Sequence, residues 1–314
     1  MKTLALTTAA TLLATTALAD VETRSFTFEN EGTTLSGTLY VPEGHDGSAL
    51  PTVIVTGAWT TVEEQMPSIY AREMVERGFA AVTFDFRGWG KSGDLPGGIR
   101  FEENPTAKIS DIRAAISAAA ALDEVDATLI HGLGICASAG YMVDATSGHD
   151  MVRSVGLVAP WLQDAQIVAA VYGGEDGVAG LKSMAAAAEA EGGQIIPAAG
   201  PAGTEGVLMA MDGYYADPTR GAIPAYDNQW NNTGWDDWLS YHPVDRAGSF
   251  DKPLAIVHSQ AAAIPQGVQA FLNAYAGQAT LQWLEDVTQF DFYDNPEDVE
   301  RAADTVATHF SAQG

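Results

Sequence analysis

The stretch "ATLIHGLGICASAGYMVDAT" (127–146) decides the reading of this chain. Its first nine residues form an apolar run of the length expected for a strand buried on both faces. "ASAGYMVDAT" then reads as a helix. Between them stands Cys136, with Gly134 and Ser138 two positions to either side. A strand that passes straight into a helix makes a sharp turn, which strains the backbone of its central residue and lifts that side chain to the top of the sheet. Only small neighbours fit there. The amides opening the helix point at the thiol, so they are expected to lower its pKa and to offer the Ala137 N–H to an oxyanion.

The flanking sequence repeats the same alternation. "TVIVTG" (52–57), "FAAVTFDF" (79–86), "VRSVGLVAP" (152–160), "KPLAIVHS" (252–259) and "ATLQWLED" (279–286) read as strands. The segments "EEQMPSIYAREMVERG" (63–78), "AKISDIRAAISAAAAL" (107–122), "PQGVQAFLNAYAG" (265–277) and "PEDVERAADTVATHF" (296–310) carry apolar residues at helical spacing. This alternation predicts an α/β fold: a mostly parallel sheet with helices on both faces. Two alternating stretches, "TRSFTFEN" (23–30) and "TTLSGTLYVP" (33–42), predict an antiparallel hairpin turning near Glu31-Gly32. From about residue 161 to 250 the pattern breaks into an alanine-rich helix, a glycine- and proline-rich stretch and many aromatics. Inserted between two sheet strands, this segment is expected to roof the strands' carboxyl ends as a cap, where open α/β sheets bind ligands.

Composition bounds what such a fold can do. Fifteen Lys and Arg against 41 Asp and Glu give a formal net charge of −26. That charge repels phosphate backbones and anionic lipid, which argues against nucleic-acid and membrane-surface partners and leaves a small-molecule substrate as the expected one. Lys2, the apolar run "LALTTAATLLATTALA" and the triplet Ala17-Leu18-Ala19 describe a signal peptide cleaved after Ala19. The expectation is a periplasmic or secreted protein of residues 20–314, with no further segment apolar enough to span a bilayer. One cysteine outside the cytoplasm forms no internal disulfide, so a buried or catalytic role is expected for it. Cys and His show no metal-binding spacing, and no metal or other cofactor is expected.

These features together resemble the α/β-hydrolase superfamily, and the cysteine at the turn resembles its dienelactone-hydrolase-like branch. The resemblance is carried by "VTGAWT" (55–60), "DFRGWGKSG" (85–93), "GICASAGY" (134–141), "HSQAAAIP" (258–265) and "TQFDFYDNP" (288–296). It implies metal-free hydrolysis of esters, lactones or thioesters by a nucleophile, a histidine base and a carboxylate. Ala58 or Trp59 would supply a second oxyanion amide beside Ala137. Two positions depart from that pattern. Ala262 stands where the resemblance implies the acid, and Gln289 where it implies the histidine.

A substitute base is therefore sought among the remaining polar residues. His258 ends a predicted strand, and His242, with Asp245 nearby, could hang over the pocket from the cap. Asp164 follows the strand after the turn, beside Trp161, and Glu64 opens a helix near the oxyanion loop. His45, His131, His149 and His309 read as structural, and Asp291 as an anchor of the final loop. Cysteine tolerates loss of the base better than serine does, because a free thiol is already a few per cent thiolate at about pH 7. The expected function is thus hydrolysis of a small activated acyl compound through Cys136, with Gln289 as a hydrogen-bond donor. The rival expectations are a non-hydrolytic ligand-binding protein on a hydrolase scaffold, or thiol and persulfide transfer.

Overall fold

The computed structural model describes residues 20–314; the expected signal peptide lies outside the described residues. Strands β1 (Val21–Asn30) and β2 (Thr33–Pro42) form the antiparallel hairpin, with Glu31 and Gly32 both at positive φ in its turn. The alternating units follow: β3 (Leu50–Thr56), α1 (Met66–Glu76), β4 (Ala80–Phe84), α2 (Pro105–Ala119), β5 (Val125–Ile135), α3 (Ala137–Thr146) and β6 (Val152–Val158). Helix α1 starts three residues later than its apolar spacing suggests. Residues 63–65 are held in a loop instead, by bonds described below.

Between β6 and the next sheet strand come α4 (Ala165–Val171), α5 (Gly174–Ala190), four short strands and α6 (Gly234–Ser240). Those strands are β7 (Ile195–Pro197), β8 (Ala199–Gly200), β9 (Met209–Ala210) and β10 (Gln229–Asn231). The chain then closes the sheet with β11 (Leu254–Ser259), α7 (Pro265–Ala274), β12 (Ala279–Leu284), the single turn α8 (Asp291–Asp294) and α9 (Pro296–Ser311).

Eight strands lie in the order β1-β2-β4-β3-β5-β6-β11-β12. β1 pairs with β2 and β2 with β4 antiparallel, and every other pairing is parallel, so the carboxyl ends of β3, β4, β5, β6, β11 and β12 share one edge. The central strands are apolar along their whole length because helices cover both faces. Val53, Ile54, Val55, Leu133, Ile135, Val155, Leu157 and Ile256 are all fully buried. Helix α9 lays the stripe Val299, Ala303, Val306 and Phe310 onto the core. No helix among the described residues is long and apolar enough to cross a membrane.

Candidate active site

The chain leaves β5 and enters α3 through one residue. Cys136 takes φ 57° and ψ −120°, a conformation costly for any residue with a Cβ. Three main-chain bonds hold it there: its N–H donates to the Val158 carbonyl (3.1 Å), and its carbonyl accepts from Trp161 (2.9 Å) and Ala139 (3.1 Å). The small flanking residues have separate reasons. A Cβ on Gly134 would lie 2.7 Å from the Ala139 Cα and 2.8 Å from the Ser138 carbonyl oxygen. The Ser138 hydroxyl accepts from the Ile135 amide (3.1 Å) and from Thr56 Oγ1 (2.9 Å), tying the turn to the end of β3.

Strain gathers around this point. Thr60, Ala159 and Ile264, in the segments that follow β3, β6 and β11, also have positive φ. The loop after β3 is fixed by side chains pointing back into the fold. Thr61 Oγ1 donates to the Ala58 carbonyl (2.7 Å), Gln65 Oε1 accepts from the Val62 amide (2.9 Å), and Thr60 Oγ1 meets the Tyr226 hydroxyl at 3.1 Å. Beneath it, Asp85 accepts from the backbone amides of Glu63 (2.8 Å) and Lys91 (2.9 Å), while Glu63 accepts from Thr83 (2.7 Å). Burial pushes the Asp85 carboxyl up to about 7 and raises Glu63 as well. Asp85, Glu63 and Glu64 bring ligand atoms within 4.8 Å of one another. Protein donors already occupy them, Glu64 being paired with Lys91.

Cys136 is buried, and its side chain opens onto a cavity of about 310 Å³ at the sheet's carboxyl edge. Trp59, Ala137, Trp161, Gln289 and Tyr293 line the same cavity, with Tyr172, Tyr215, Trp235, Trp238, Phe290, Met209 and Met211. Burial pushes the thiol pKa up. The Tyr293 hydroxyl, the Ala137 and Trp59 amides and the Gln289 side chain oppose that rise. The helix-start effect expected from sequence is therefore present, and desolvation outweighs it.

Gln289 is fully engaged. Its Oε1 accepts from the Ala263 amide (3.0 Å), and its Nε2 donates to the Ala159 carbonyl (2.9 Å) and the Tyr293 hydroxyl (3.1 Å). Tyr293 receives that bond, and its hydroxyl faces the sulfur. Burial raises its pKa well above 10, so it remains a neutral phenol. The polar groups facing Sγ are thus all donors.

Of the residues singled out from sequence, Cys136, Gln289, Trp59, Ala137 and Trp161 meet at this cavity. The others lie apart from its lining. Ala58 is buried and outside the lining, and the second amide facing the sulfur is that of Trp59. Asp164 caps α4, accepting from the Ile167 amide at 2.9 Å. Glu64 faces Lys91. His242 precedes a 3-10 turn with Nδ1 3.8 Å from Asp245. His258 is fully buried against Trp283 (centroids 5.4 Å apart), with neither ring nitrogen in a hydrogen bond, and burial pushes it down to about 4. A histidine ending an apolar strand keeps the strand's inward direction, which here is the core. Tyr293, which lines the cavity and faces the sulfur, is the neighbour of Cys136 that sequence reasoning did not single out.

A larger groove of about 560 Å³ runs past α5 and α6, lined by Glu102, Glu189, Asp236, Asp237 and Lys182, and does not include Cys136.

No protein-family model matches the chain. An uncharacterized protein of Pseudomonas aeruginosa, PA2218, is 36% identical over 138 residues, which are 44% of this chain and 36% of that one. The polyketide transferase claH of Penicillium crustosum is 31% identical over 110 residues, 34% of this chain and 35% of claH. The chain thus spans little more than a third of the length of either curated relative. The crystal structure of PA2218 superposes with a TM-score of 0.81 at 23% identity, over 99% of this chain and 100% of the other. The α/β hydrolase GrgF from Penicillium sp. sh18 superposes with a TM-score of 0.73 at 16% identity, over 92% and 99%. The chain carries the α/β-hydrolase fold, the scaffold of the hydrolases and esterases it resembles in structure.

Proposed function

We propose that the protein acts on small activated acyl compounds (lactones, thioesters or aryl esters) by transferring the acyl group to Cys136, as a dienelactone-hydrolase-like enzyme of the periplasm or of the secreted fraction. The observation that carries this reading is Cys136 held at a strained strand-to-helix turn on the floor of an apolar cavity, with the Trp59 and Ala137 amides and the Tyr293 hydroxyl about its sulfur. A tetrahedral intermediate needs donors where its oxyanion forms, and the Trp59 and Ala137 amides suit that role.

In the first step Sγ attacks the carbonyl carbon and the bond to the leaving atom breaks. The thiol proton ends on the leaving atom, and the neutral Tyr293 hydroxyl donates to the sulfur as negative charge develops there, without giving up its proton. Gln289 orients that hydroxyl. A raised thiol pKa slows this step, so activated donors with good leaving groups are the fitting substrates. In the second step water must lose a proton, and no acceptor faces the sulfur to take it. Deacylation is then the slow step. An acceptor other than water would complete the cycle instead, a role in keeping with the transferase name of claH.

The donor-only surroundings and the raised thiol pKa also favour a second reading, a ligand-binding protein on a hydrolase scaffold. Pre-steady-state release of 4-nitrophenol from 4-nitrophenyl esters separates the two. Acyl transfer predicts a burst of one equivalent per chain followed by slow turnover, with no burst from Cys136→Ala. Equal release by the wild type and the variant supports the binding reading.

A further inference from the structure

The cavity wall carries a selectivity of its own. Among the sixteen residues lining it there is no Asp, Glu, Lys, Arg or His. A charged group brought inside loses its water and finds no counter-charge, a cost of several kcal/mol. The chain's net charge of −26 adds a repulsion toward anionic donors before they arrive.

Half of the lining residues are aromatic, and they pack as two groups, one with Trp59 from the loop after β3 and one with Phe290 and Tyr293 from the segment after β12. On the β3 side, Trp59 stacks on Trp238 with centroids 5.2 Å apart and planes at 28°, and Trp235 meets Trp59 edge-on at 5.9 Å. On the β12 side, Tyr215, Phe290 and Tyr293 pack at 5.6 to 6.2 Å. The sulfur lies between, facing both the Trp59 amide and the Tyr293 hydroxyl. Two of the polar tips are already used. Trp238 Nε1 donates to the Tyr172 hydroxyl at 2.6 Å, and Trp161 Nε1 to Gln163 at 2.9 Å. What such a wall offers a ligand is ring faces and edges. The volume of about 310 Å³ admits about ten to fifteen non-hydrogen atoms.

We propose that this cavity selects an uncharged ligand in which one aromatic ring is joined to a carbonyl group, the ring lying between the tryptophan and tyrosine-phenylalanine walls and the carbonyl oxygen among the donors at Cys136. Acyl donors on phosphate-bearing carriers, or with a carboxylate on the acyl group, are excluded. The substrate class rests on the reading of Cys136 as acyl acceptor.

Binding and reaction are measured separately on the wild-type protein. By calorimetry, the unreactive 3-phenylpropanamide is expected to bind about tenfold more tightly than 3-cyclohexylpropanamide, as stacking on two faces predicts, and at least about a hundredfold more tightly than its 4-carboxy derivative, whose carboxylate loses its water without gaining a counter-charge. Equal affinity for the saturated-ring analogue, or for the carboxylate, overturns the proposal. Acylation by 4-nitrophenyl 3-phenylpropanoate and by its cyclohexyl counterpart is then followed by intact mass. Ring preference in binding with no acylation supports the ligand class and refutes Cys136 as acceptor. Acylation without ring preference refutes the ligand class and keeps the acceptor.

Discussion

Replacing Tyr293 by Phe removes one hydroxyl and leaves the rest of the cavity wall in place. That hydroxyl accepts from Gln289 Nε2 at 3.1 Å and faces the sulfur, where it favours the thiolate. A hydrogen bond to a charged group contributes about 1.5–3 kcal/mol, and about 1.4 kcal/mol is tenfold in rate. The thiolate fraction near neutral pH, and with it the rate of Cys136 modification, should fall about ten- to a hundredfold. Gln289 keeps its bonds to Ala263 and Ala159, so the loop geometry should survive. The assay is the pH dependence of alkylation by uncharged iodoacetamide, read by intact mass on wild type and variant with matching circular dichroism. The variant's profile should be displaced toward higher pH. Identical profiles would refute the claim that Tyr293 acts on the sulfur.

Restoring a base should change the slow step: Gln289→His with Ala262→Asp places a histidine and an acid at the positions the hydrolase pattern uses. Deacylation of a preformed acyl-Cys136 is expected to accelerate about a hundredfold or more, within the usual range for general-base catalysis; an unchanged rate, measured by mass spectrometry over time, counts against a missing base. His258→Leu should leave acylation unchanged, because the ring lies in the core, and should improve acid tolerance. The folded pKa of His258 lies near 4, below the ordinary value of 6.5, so the folded state holds it neutral. Its contribution to stability is present above about pH 6.5 and is lost as pH falls toward 4, by ~3 kcal/mol at most. His131, also near 4, and Asp85 are common to both proteins and cancel in the comparison. Urea titrations at pH 7.5 and 4.5 check this, and an equal loss in both proteins contradicts it.

The fold was legible because strand and helix periods alternate through both ends of the chain, and because a continuous apolar run has few homes other than a doubly covered strand. Cys136 was legible for a steric reason: only Gly134 and Ser138 fit the turn around it. Gln289 was found by its place after the last strand. Tyr293 went unread because "QFDFYD" has the look of core aromatics, although four residues after Gln289 on a helical turn puts the two on one face. The choice between Ala58 and Trp59 depends on the loop's path, which Thr60 at positive φ sets. The direction of the thiol shift depends on burial, and the helix start alone suggests the wrong sign. Glu64 and His242 had plausible positions along the chain, but their side chains found Lys91 and Asp245 instead.

The most direct measurement is to expose the protein briefly to a neutral aryl ester, quench with acid, and locate any added mass by peptide mapping. A single acyl group on the peptide containing Cys136, absent from Cys136→Ala, is the predicted result. An unmodified chain, or an adduct on another side chain that persists in Cys136→Ala, would contradict the central claim that this sulfur receives the substrate.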